Sequence, residues 1–293
     1  MDRIAPSGAT RLVGLLGAKV EHSRSAEIHN RAFQERALDW QYVGLQVRPD
    51  RLDAALQGLA ALGFRGANVT MPFKEAVLPL LDELSTEARA IGAVNTIRID
   101  ADGRLAGFNT DAQGFLEDLR DQGALPSRPA HLLGAGGAAR AVAYALAEAG
   151  CPEITIVNRT ERRARALVER FEPLFPDTRW KVRPWPRGVV MAEPQALVVN
   201  CTCVGMAGTD LKGESPWPHA TPFGSQQVVY DLVYAPTWTP FLEHARTSGA
   251  LPLSGIGMLV RQAALAFSIW TEVEAPLRVM ELAVKGLWSE GAA

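Results

Sequence analysis

The chain has 293 residues, of which 47% are hydrophobic and 21% charged, and its formal net charge is −2. This composition excludes a disordered or fibrous chain, and the nearly balanced charge gives no reason to expect nucleic acid as a partner. The length exceeds the usual single-domain size and predicts two domains.

No uncharged apolar run reaches the roughly 18 residues of a membrane span, so we expect no membrane partner. Three cysteines occur without the spacing of zinc ligands, and this pattern predicts no metal site. The start of the chain lacks the apolar core of a signal peptide, so we expect a cytoplasmic protein.

The first third of the chain alternates between strand and helix patterns. The predicted strands are 12–17, 40–47, 66–72 and 93–99, and the predicted helices are 25–38, 53–62 and 78–91. The strand that begins at Gly66 runs into a turn at Pro72, because proline cannot continue a central ladder. This alternation predicts an α/β unit with a largely parallel sheet covered by helices.

A second unit is predicted to begin near Asp111. Its predicted strands are 130–133, 153–157, 196–202 and 227–232, with an edge strand around 180–182 in an irregular region; its predicted helices are 112–122, one ending at 149, 162–171, 258–270 and 276–288. The predicted fold class is therefore α/β with two domains.

A glycine-rich motif follows the predicted strand 130–133 and opens an alanine-rich helix. It reads Gly134-Ala135-Gly136-Gly137-Ala138-Ala139 and fits G-x-G-x-x-G/A. The first glycine permits the tight turn, the second lets the backbone approach a pyrophosphate, and a small third position allows close packing. The start of the helix offers free N–H groups to phosphates, so this segment is predicted to bind a dinucleotide.

The tip of the next strand indicates which dinucleotide. An NAD-type site places Asp or Glu there to accept from the ribose 2′-OH, whereas this chain has Asn158-Arg159-Thr160, followed by Arg163. A guanidinium binds a 2′-phosphate that a carboxylate would repel. We therefore predict NADP(H), with Arg159 and Arg163 on the phosphate and Asn158 and Thr160 nearby. Glu161 is the residue that argues for NAD.

A lysine and an aspartate are candidates for acid–base chemistry. Lys74 follows the proline turn, and Asp111 begins the second predicted unit, so the two could meet across a cleft. Such a pair could polarise a carbonyl oxygen and exchange the proton of an alcohol. Which member donates the proton stays open, because coupled groups titrate as a pair.

Motifs in this order resemble the shikimate dehydrogenase family and span nearly the whole chain. They are Ser23-Arg24-Ser25 with Ile28-His29-Asn30, Asn68-Val69-Thr70-Met71-Pro72-Phe73-Lys74, Gly92-Ala93-Val94-Asn95-Thr96, Asn109-Thr110-Asp111, the glycine-rich motif, Asn158-Arg159-Thr160, Asp231-Leu232-Val233-Tyr234 and residues 255–262. The resemblance assigns the catalytic dyad to Lys74 and Asp111.

The same motifs supply candidate substrate and cofactor contacts. Ser23 and Ser25 could bind a substrate carboxylate, although Ser-x-Ser before a helix is also a common N-cap. Neutral partners for ring hydroxyls are Asn68, Thr70, Asn95 and Gln262, and the resemblance implies contacts from the last three especially. Tyr234 is expected on the substrate side, and Leu232, Gly255 and Met258 on the nicotinamide side.

The resemblance implies an N-terminal α/β substrate domain of residues 1–109, completed by 255–293, and a Rossmann-like NADP-binding domain of residues 110–254, with the active site between them. The expected reaction is reduction of 3-dehydroshikimate to shikimate by NADPH, in a monomer or homodimer with a small-molecule substrate. Alternatives are a quinate/shikimate dehydrogenase with broader substrate or NAD use, and a non-catalytic NADP-sensing relative.

Overall fold

The structure is a computed structural model, and it describes residues 6–124, 126–185 and 193–284. These residues form two compact units, one made of residues 6–111 and 260–284 and the other lying within residues 112–259. Each unit is built on a six-stranded sheet with helices, which confirms the predicted α/β class. Within the described ranges, no helix is long and apolar enough to cross a membrane.

The first part of the chain follows the predicted alternation with different bounds. Its elements are β1 (Arg11–Gly17), α1 (Ser25–Glu35), β2 (Trp40–Gln46), α2 (Leu52–Ala61), β3 (Gly66–Val69), β4 (Glu83–Leu84), α3 (Thr86–Ile91), β5 (Thr96–Ile99) and β6 (Leu105–Phe108). The strand order is β2-β1-β3-β5-β6-β4.

This first sheet is mixed, whereas the sequence predicted a largely parallel one. Strand β1 runs parallel to β2 and β3, but β5 runs antiparallel to both β3 and β6. Strands β5 and β6 are joined by a short turn that contains Gly103 at φ +84°. So short a connection can join only antiparallel neighbours, and β6 was missed by the sequence analysis.

The prediction of a mostly helical segment over residues 78–91 is wrong. The structure has a 3₁₀ turn at Leu78–Leu80, the short strand β4, and helix only from Thr86. The side chain of Ser85 caps that helix by accepting from the backbone N–H of Ala88 at 3.1 Å. The backbone N–H of Leu105 donates to Asp82 Oδ2 at 2.7 Å. These contacts hold the segment before Thr86 against β6 and stop a continuous helix.

The remaining chain contains the second sheet and the last helices. Its elements are α4 (Asp111–Asp121), β7 (Ala130–Leu133), α5 (Gly137–Glu148), β8 (Glu153–Asn158), α6 (Glu161–Phe171), β9 (Arg179–Pro184), β10 (Leu197–Asn200), β11 (Val228–Asp231), α7 (Pro240–Thr247), β12 (Leu251–Ser254), α8 (Ile256–Thr271) and α9 (Leu277–Ala283). Helix α7 and strand β12 were not predicted. Residues 285–288 of the last predicted helix lie outside the described residues.

The second sheet is parallel throughout and has the order β12-β11-β10-β7-β8-β9. This is the doubly wound, Rossmann-like arrangement, in which the strand order reverses next to the first strand, here β7. Strands β7, β10 and β11 are buried along their length, as expected of a parallel sheet covered on both faces. Strand β9 lies at the edge, as predicted.

A buried carboxylate organises the loop that leaves β11. Asp231, the last residue of that strand, is fully buried. It accepts hydrogen bonds from Asn200 Nδ2 at 2.8 Å, the backbone N–H of Val233 at 3.0 Å and Thr239 Oγ1 at 2.6 Å. Burial outweighs these hydrogen bonds and raises the pKa of Asp231 to about 7.

The free energy of unfolding should depend on pH through this group. The unfolded chain releases the Asp231 proton near pH 3.9, whereas the folded protein holds it to about pH 7. The stabilisation that goes with the bound proton is therefore fully present below the unfolded pKa and is lost as pH rises through the folded pKa. Asp231→Asn, which cannot ionise, should gain roughly 4 kcal/mol relative to the wild type between acid and neutral pH.

Urea unfolding of both proteins at a series of pH values from acid to neutral measures this difference. Subtracting the two free energies of unfolding at each pH removes the contribution of every other group that titrates alike in both proteins. A stability difference that stays constant across the series would contradict the raised pKa of Asp231.

Candidate functional site

The backbone around Lys74 is held on both sides. The N–H of Phe73 donates to the carbonyl of Thr70 at 2.9 Å, and the Phe73 ring is buried. The carbonyl of Lys74 accepts from the N–H of Val94 at 2.8 Å. The loop after β3 therefore presents Lys74 from a fixed backbone, as the proline turn predicted.

Asp111 faces this lysine from the beginning of α4. Lys74 Nζ lies 2.6 Å from Asp111 Oδ2, and the two side chains are 19% and 6% exposed. The backbone N–H of Asp111 donates to Asn109 Oδ1 at 3.1 Å. The structure thus brings the two predicted catalytic residues together, and both lie in the first compact unit. The Lys74 side chain is thus partly exposed, whereas Asp111 is nearly buried.

The side-chain amide of Asn95 links the Asp111 carboxylate to other polar side chains. Its Nδ2 donates to Asp111 Oδ1 at 2.9 Å and to Thr110 Oγ1 at 2.8 Å, and lies 3.4 Å from Gln262 Oε1. Its Oδ1 accepts from the backbone N–H of Thr110 at 2.7 Å. Two predicted substrate ligands, Asn95 and Gln262, therefore lie beside the Lys74–Asp111 pair.

Asn68 and Thr70 lie at the end of β3 in different environments. Asn68 is buried, its Oδ1 accepts from Tyr42 Oη at 2.9 Å, and its Nδ2 donates to Thr96 Oγ1 at 3.0 Å. Thr70 is half-buried, and its methyl group occupies the space beside Gly17, where an added Cβ would lie 2.5 Å from it. Thr70 is therefore partly exposed, whereas protein groups occupy both ends of the Asn68 amide.

Ser23 and Ser25 form a local turn at the start of α1. Their hydroxyl oxygens lie 3.1 Å apart, and the backbone N–H of Ser25 donates to Ser23 Oγ at 3.2 Å. The structure therefore shows that the pair orders the entrance to the helix. The Ser23 hydroxyl donates to Ser25 Oγ in this arrangement. If it turned toward a ligand instead, each serine could donate one hydrogen bond to a carboxylate.

The glycine-rich motif has the geometry of a nucleotide loop. Gly134 directly follows β7 and has φ +117°, and a Cβ there would lie 3.0 Å from Thr202 and 3.2 Å from the carbonyl of Cys201. Gly136 caps α5 in an extended conformation, and a Cβ there would meet nothing within 4 Å. One side of the loop is packed against the segment after β10 and the other is open. The start of a helix at such an opening is able to offer backbone N–H groups to a phosphate.

The tip of β8 is basic and exposed. Asn158 Nδ2 donates to the carbonyl of Thr160 at 2.9 Å and shapes the turn. Arg159 is exposed and has no hydrogen bond or ion pair to any residue in the described ranges. Glu161, which argued for NAD, is bound by Arg165 Nε at 2.9 Å. The exposed Arg163 lies in the first turn of α6. This surface suits an anionic group.

The residues predicted on the nicotinamide side lie in the second unit. A Cβ at Gly255 would lie 2.6 Å from the carbonyl of Asp231 and 2.9 Å from Leu232 Cα, so only glycine fits between these segments. Met258 is buried in the first turn of α8. Tyr234, which was predicted on the substrate side, also lies in the second unit, half-buried in the loop after β11. Within the described ranges, no cluster of His, Cys, Asp and Glu could hold a metal ion.

The sequence analysis missed several polar residues around the ion pair. Thr96 and Thr110 stand in motifs that it quoted, but neither was assigned a role. Tyr42 carried no signal, because a buried tyrosine in an alternating strand is typical of any core. His29 of the Ile28-His29-Asn30 motif is fully buried and stacks on Tyr42 with ring centroids 4.6 Å apart. Burial lowers the pKa of His29 to about 3.

Known families match most of this chain. Residues 15–97 match the shikimate dehydrogenase substrate binding domain, residues 119–176 match shikimate / quinate 5-dehydrogenase, and residues 255–285 match the shikimate 5′-dehydrogenase C-terminal domain.

The similar proteins are also shikimate dehydrogenases. The shikimate dehydrogenase (NADP⁺) of Salinibacter ruber is 48% identical over 90% of this chain and 93% of its own length. That of Methanopyrus kandleri is 44% identical over 96% and 97%. The crystal structure of the Thermus thermophilus shikimate 5-dehydrogenase with NADP(H) and shikimate is 39% identical, has a TM-score of 0.81, and matches over 95% of this chain and all of that one. The chain belongs to the shikimate dehydrogenase family.

Proposed function

We propose that this protein reduces 3-dehydroshikimate to shikimate with NADPH. The observation that carries the proposal is the Lys74–Asp111 pair, at 2.6 Å and partly exposed on the lysine side, within a cluster of neutral hydrogen-bonding groups. A positioned ion pair supports proton exchange with an alcohol or ketone oxygen. The names and the bound ligands of the relatives support the choice of substrate and cofactor.

Residues of this chain carry out the proton transfer in the reaction. The ammonium of Lys74 donates a hydrogen bond to the ketone oxygen and stabilises the negative charge that develops there. The Lys74–Asp111 pair then delivers a proton to that oxygen, while Asn95 keeps the carboxylate in place. When bound, the reduced nicotinamide supplies the hydride to the carbonyl carbon. In the reverse direction, the pair accepts the proton of the hydroxyl group.

Neutral polar groups of the first unit bind the rest of the substrate. The hydroxyls of Ser23 and Ser25 hold the carboxylate, and Thr70, Asn95 and Gln262 hold the ring hydroxyls, with Tyr234 contributing from the loop after β11. Binding through hydroxyl groups rejects analogues that lack them, because buried polar groups would then stay unpaired.

The second unit holds the dinucleotide. The open backbone of residues 134–138 binds the pyrophosphate, and Arg159 with Arg163 binds the 2′-phosphate beside Asn158 and Thr160. Leu232, Gly255 and Met258 line the nicotinamide. The ion pair between Glu161 and Arg165 supports this assignment, since it engages the carboxylate that would repel a 2′-phosphate. In this proposal the two units are the substrate and NADP domains, acting in the cytoplasm as a monomer or homodimer.

Activity of the purified protein tests the proposal, with 3-dehydroshikimate and quinate as substrates and NADPH and NADH as cofactors. We expect oxidation of NADPH with 3-dehydroshikimate, and Lys74→Ala should lower kcat by at least roughly 10²-fold, the lower end for lost acid–base catalysis. Lys19→Ala serves as the control, because it removes an exposed lysine of the same unit and should leave kcat unchanged. Wild-type protein that binds NADPH without turning over 3-dehydroshikimate would support a non-catalytic relative instead.

The preference for NADPH over NADH is tested by removing the guanidinium of Arg159. Arg159→Ala should raise the KM for NADPH by roughly 10- to 100-fold, the cost of a charge-assisted contact, and leave the KM for NADH nearly unchanged. Arg162→Ala removes an exposed arginine of the first turn of α6, three residues after Arg159, and should change neither KM. Equal losses for both cofactors in Arg159→Ala would show that Arg159 does not read the 2′-phosphate.

A further inference from the structure

A continuous line of hydrogen bonds runs from the core of the first unit to the Lys74–Asp111 pair. Its members, in order, are Tyr42, Asn68, Thr96, Asn95 and Asp111. Tyr42 Oη lies 2.9 Å from Asn68 Oδ1, and Asn68 Nδ2 lies 3.0 Å from Thr96 Oγ1. Thr96 Oγ1 lies 3.1 Å from Asn95 Oδ1, and Asn95 Nδ2 lies 2.9 Å from Asp111 Oδ1.

Backbone groups determine which way each hydrogen bond in this line is donated. Asn95 Oδ1 accepts from the N–H of Thr110 at 2.7 Å, so its Nδ2 must point toward the carboxylate. Asn68 Nδ2 donates to the carbonyl of Asn95 at 3.2 Å, so its Oδ1 must face Tyr42. A backbone N–H only donates and a backbone carbonyl only accepts. Both amide orientations are therefore fixed. The Tyr42 hydroxyl donates to Asn68 Oδ1, and the Thr96 hydroxyl donates to Asn95 Oδ1 at 3.1 Å, with Thr110 Oγ1 farther away at 3.4 Å.

Burial makes this line sensitive to the loss of any member. Tyr42, Asn68, Asn95 and Thr96 are all buried, and a buried polar group without its partner costs more than a hydrogen bond contributes. In a low-dielectric interior, successive hydrogen bonds polarise one another. The neutral His29 ring, stacked on Tyr42 at an interplanar angle of 5°, holds the phenol in its orientation.

We propose that Tyr42, Asn68 and Thr96 are positioning residues, which together with the backbone N–H of Thr110 hold the Asn95 amide where it donates to Asp111 and so keep the carboxylate against Lys74. The inference rests on the proposed function of that pair. It assigns Asn68 a role through Asn95 rather than a direct contact with substrate, because both ends of its amide are already bonded within the fold.

Two substitutions of Thr96 separate hydrogen bonding from packing. Thr96→Val keeps the shape and removes the hydroxyl, whereas Thr96→Ser keeps the hydroxyl and removes a methyl group. We expect Thr96→Val to lower kcat about tenfold with a KM for 3-dehydroshikimate within about twofold of wild type, and Thr96→Ser to retain kcat within about twofold. Tyr42→Phe, which removes the first donor, should lower kcat in the same direction by about threefold.

Either of two results for the Thr96 variants would overturn the proposal. If Thr96→Ser loses as much kcat as Thr96→Val, or if Thr96→Val is as active as wild type, then Thr96 serves packing alone. Tyr144→Phe, which removes a tyrosine hydroxyl bonded to Glu148 on α5, is the control for a lost hydroxyl outside this line and should keep wild-type kcat.

Crystal structures of the unliganded Thr96 variants test positioning without any turnover. In Thr96→Val we expect the separation of Lys74 Nζ and Asp111 Oδ2 to exceed about 3.5 Å, beyond a hydrogen bond, while Thr96→Ser keeps the 2.6 Å contact. An unchanged contact in Thr96→Val would contradict the inference. Inactivity of the wild-type protein, in contrast, would contradict the proposed substrate and leave this structural comparison intact.

Discussion

The proposed chemistry depends on one largely buried ion pair, Lys74 with Asp111. Charges removed from water lose several kcal/mol of hydration each, and their attraction offsets that loss only when the geometry is good and the remaining lone pairs are satisfied. Here Lys74 occupies one carboxylate oxygen and Asn95 the other. The pair is thus held as a unit, with the lysine left accessible. A free surface pair would gain little from the same contact.

The mixed sheet of the first unit makes this arrangement possible. In the antiparallel pairing of β3 with β5, Asn68 lies opposite Thr96, and in that of β5 with β6, Thr96 lies opposite Phe108. Strand β6 then leads directly to Thr110 and Asp111. The short turn between β5 and β6 therefore brings together polar residues that are far apart along the chain, and the neighbouring apolar core excludes water from their hydrogen bonds.

Local patterns predicted the parts of the structure that are governed by local chemistry. Glycines at 134 and 136, an arginine at the tip of β8 and the proline turn before Lys74 each require a particular backbone or charge, so the nucleotide loop, the basic tip and the lysine could be predicted from the residues. The family resemblance supplied the pairing of Lys74 with Asp111. Strand β6, its antiparallel pairing with β5, and helix α7 were missed, because short elements carry little periodicity and depend on tertiary pairing. Tyr42 could not be found from sequence, since its role depends on a partner that lies opposite only after folding.

The most direct test of the account is a crystal structure of the protein with NADP⁺ and shikimate bound together. If the pair exchanges the proton, Lys74 Nζ and a carboxylate oxygen of Asp111 should both lie within about 3.2 Å of the same shikimate hydroxyl, the distance over which a proton can be exchanged. Shikimate bound with that hydroxyl turned away from either group would contradict the central role given to the pair.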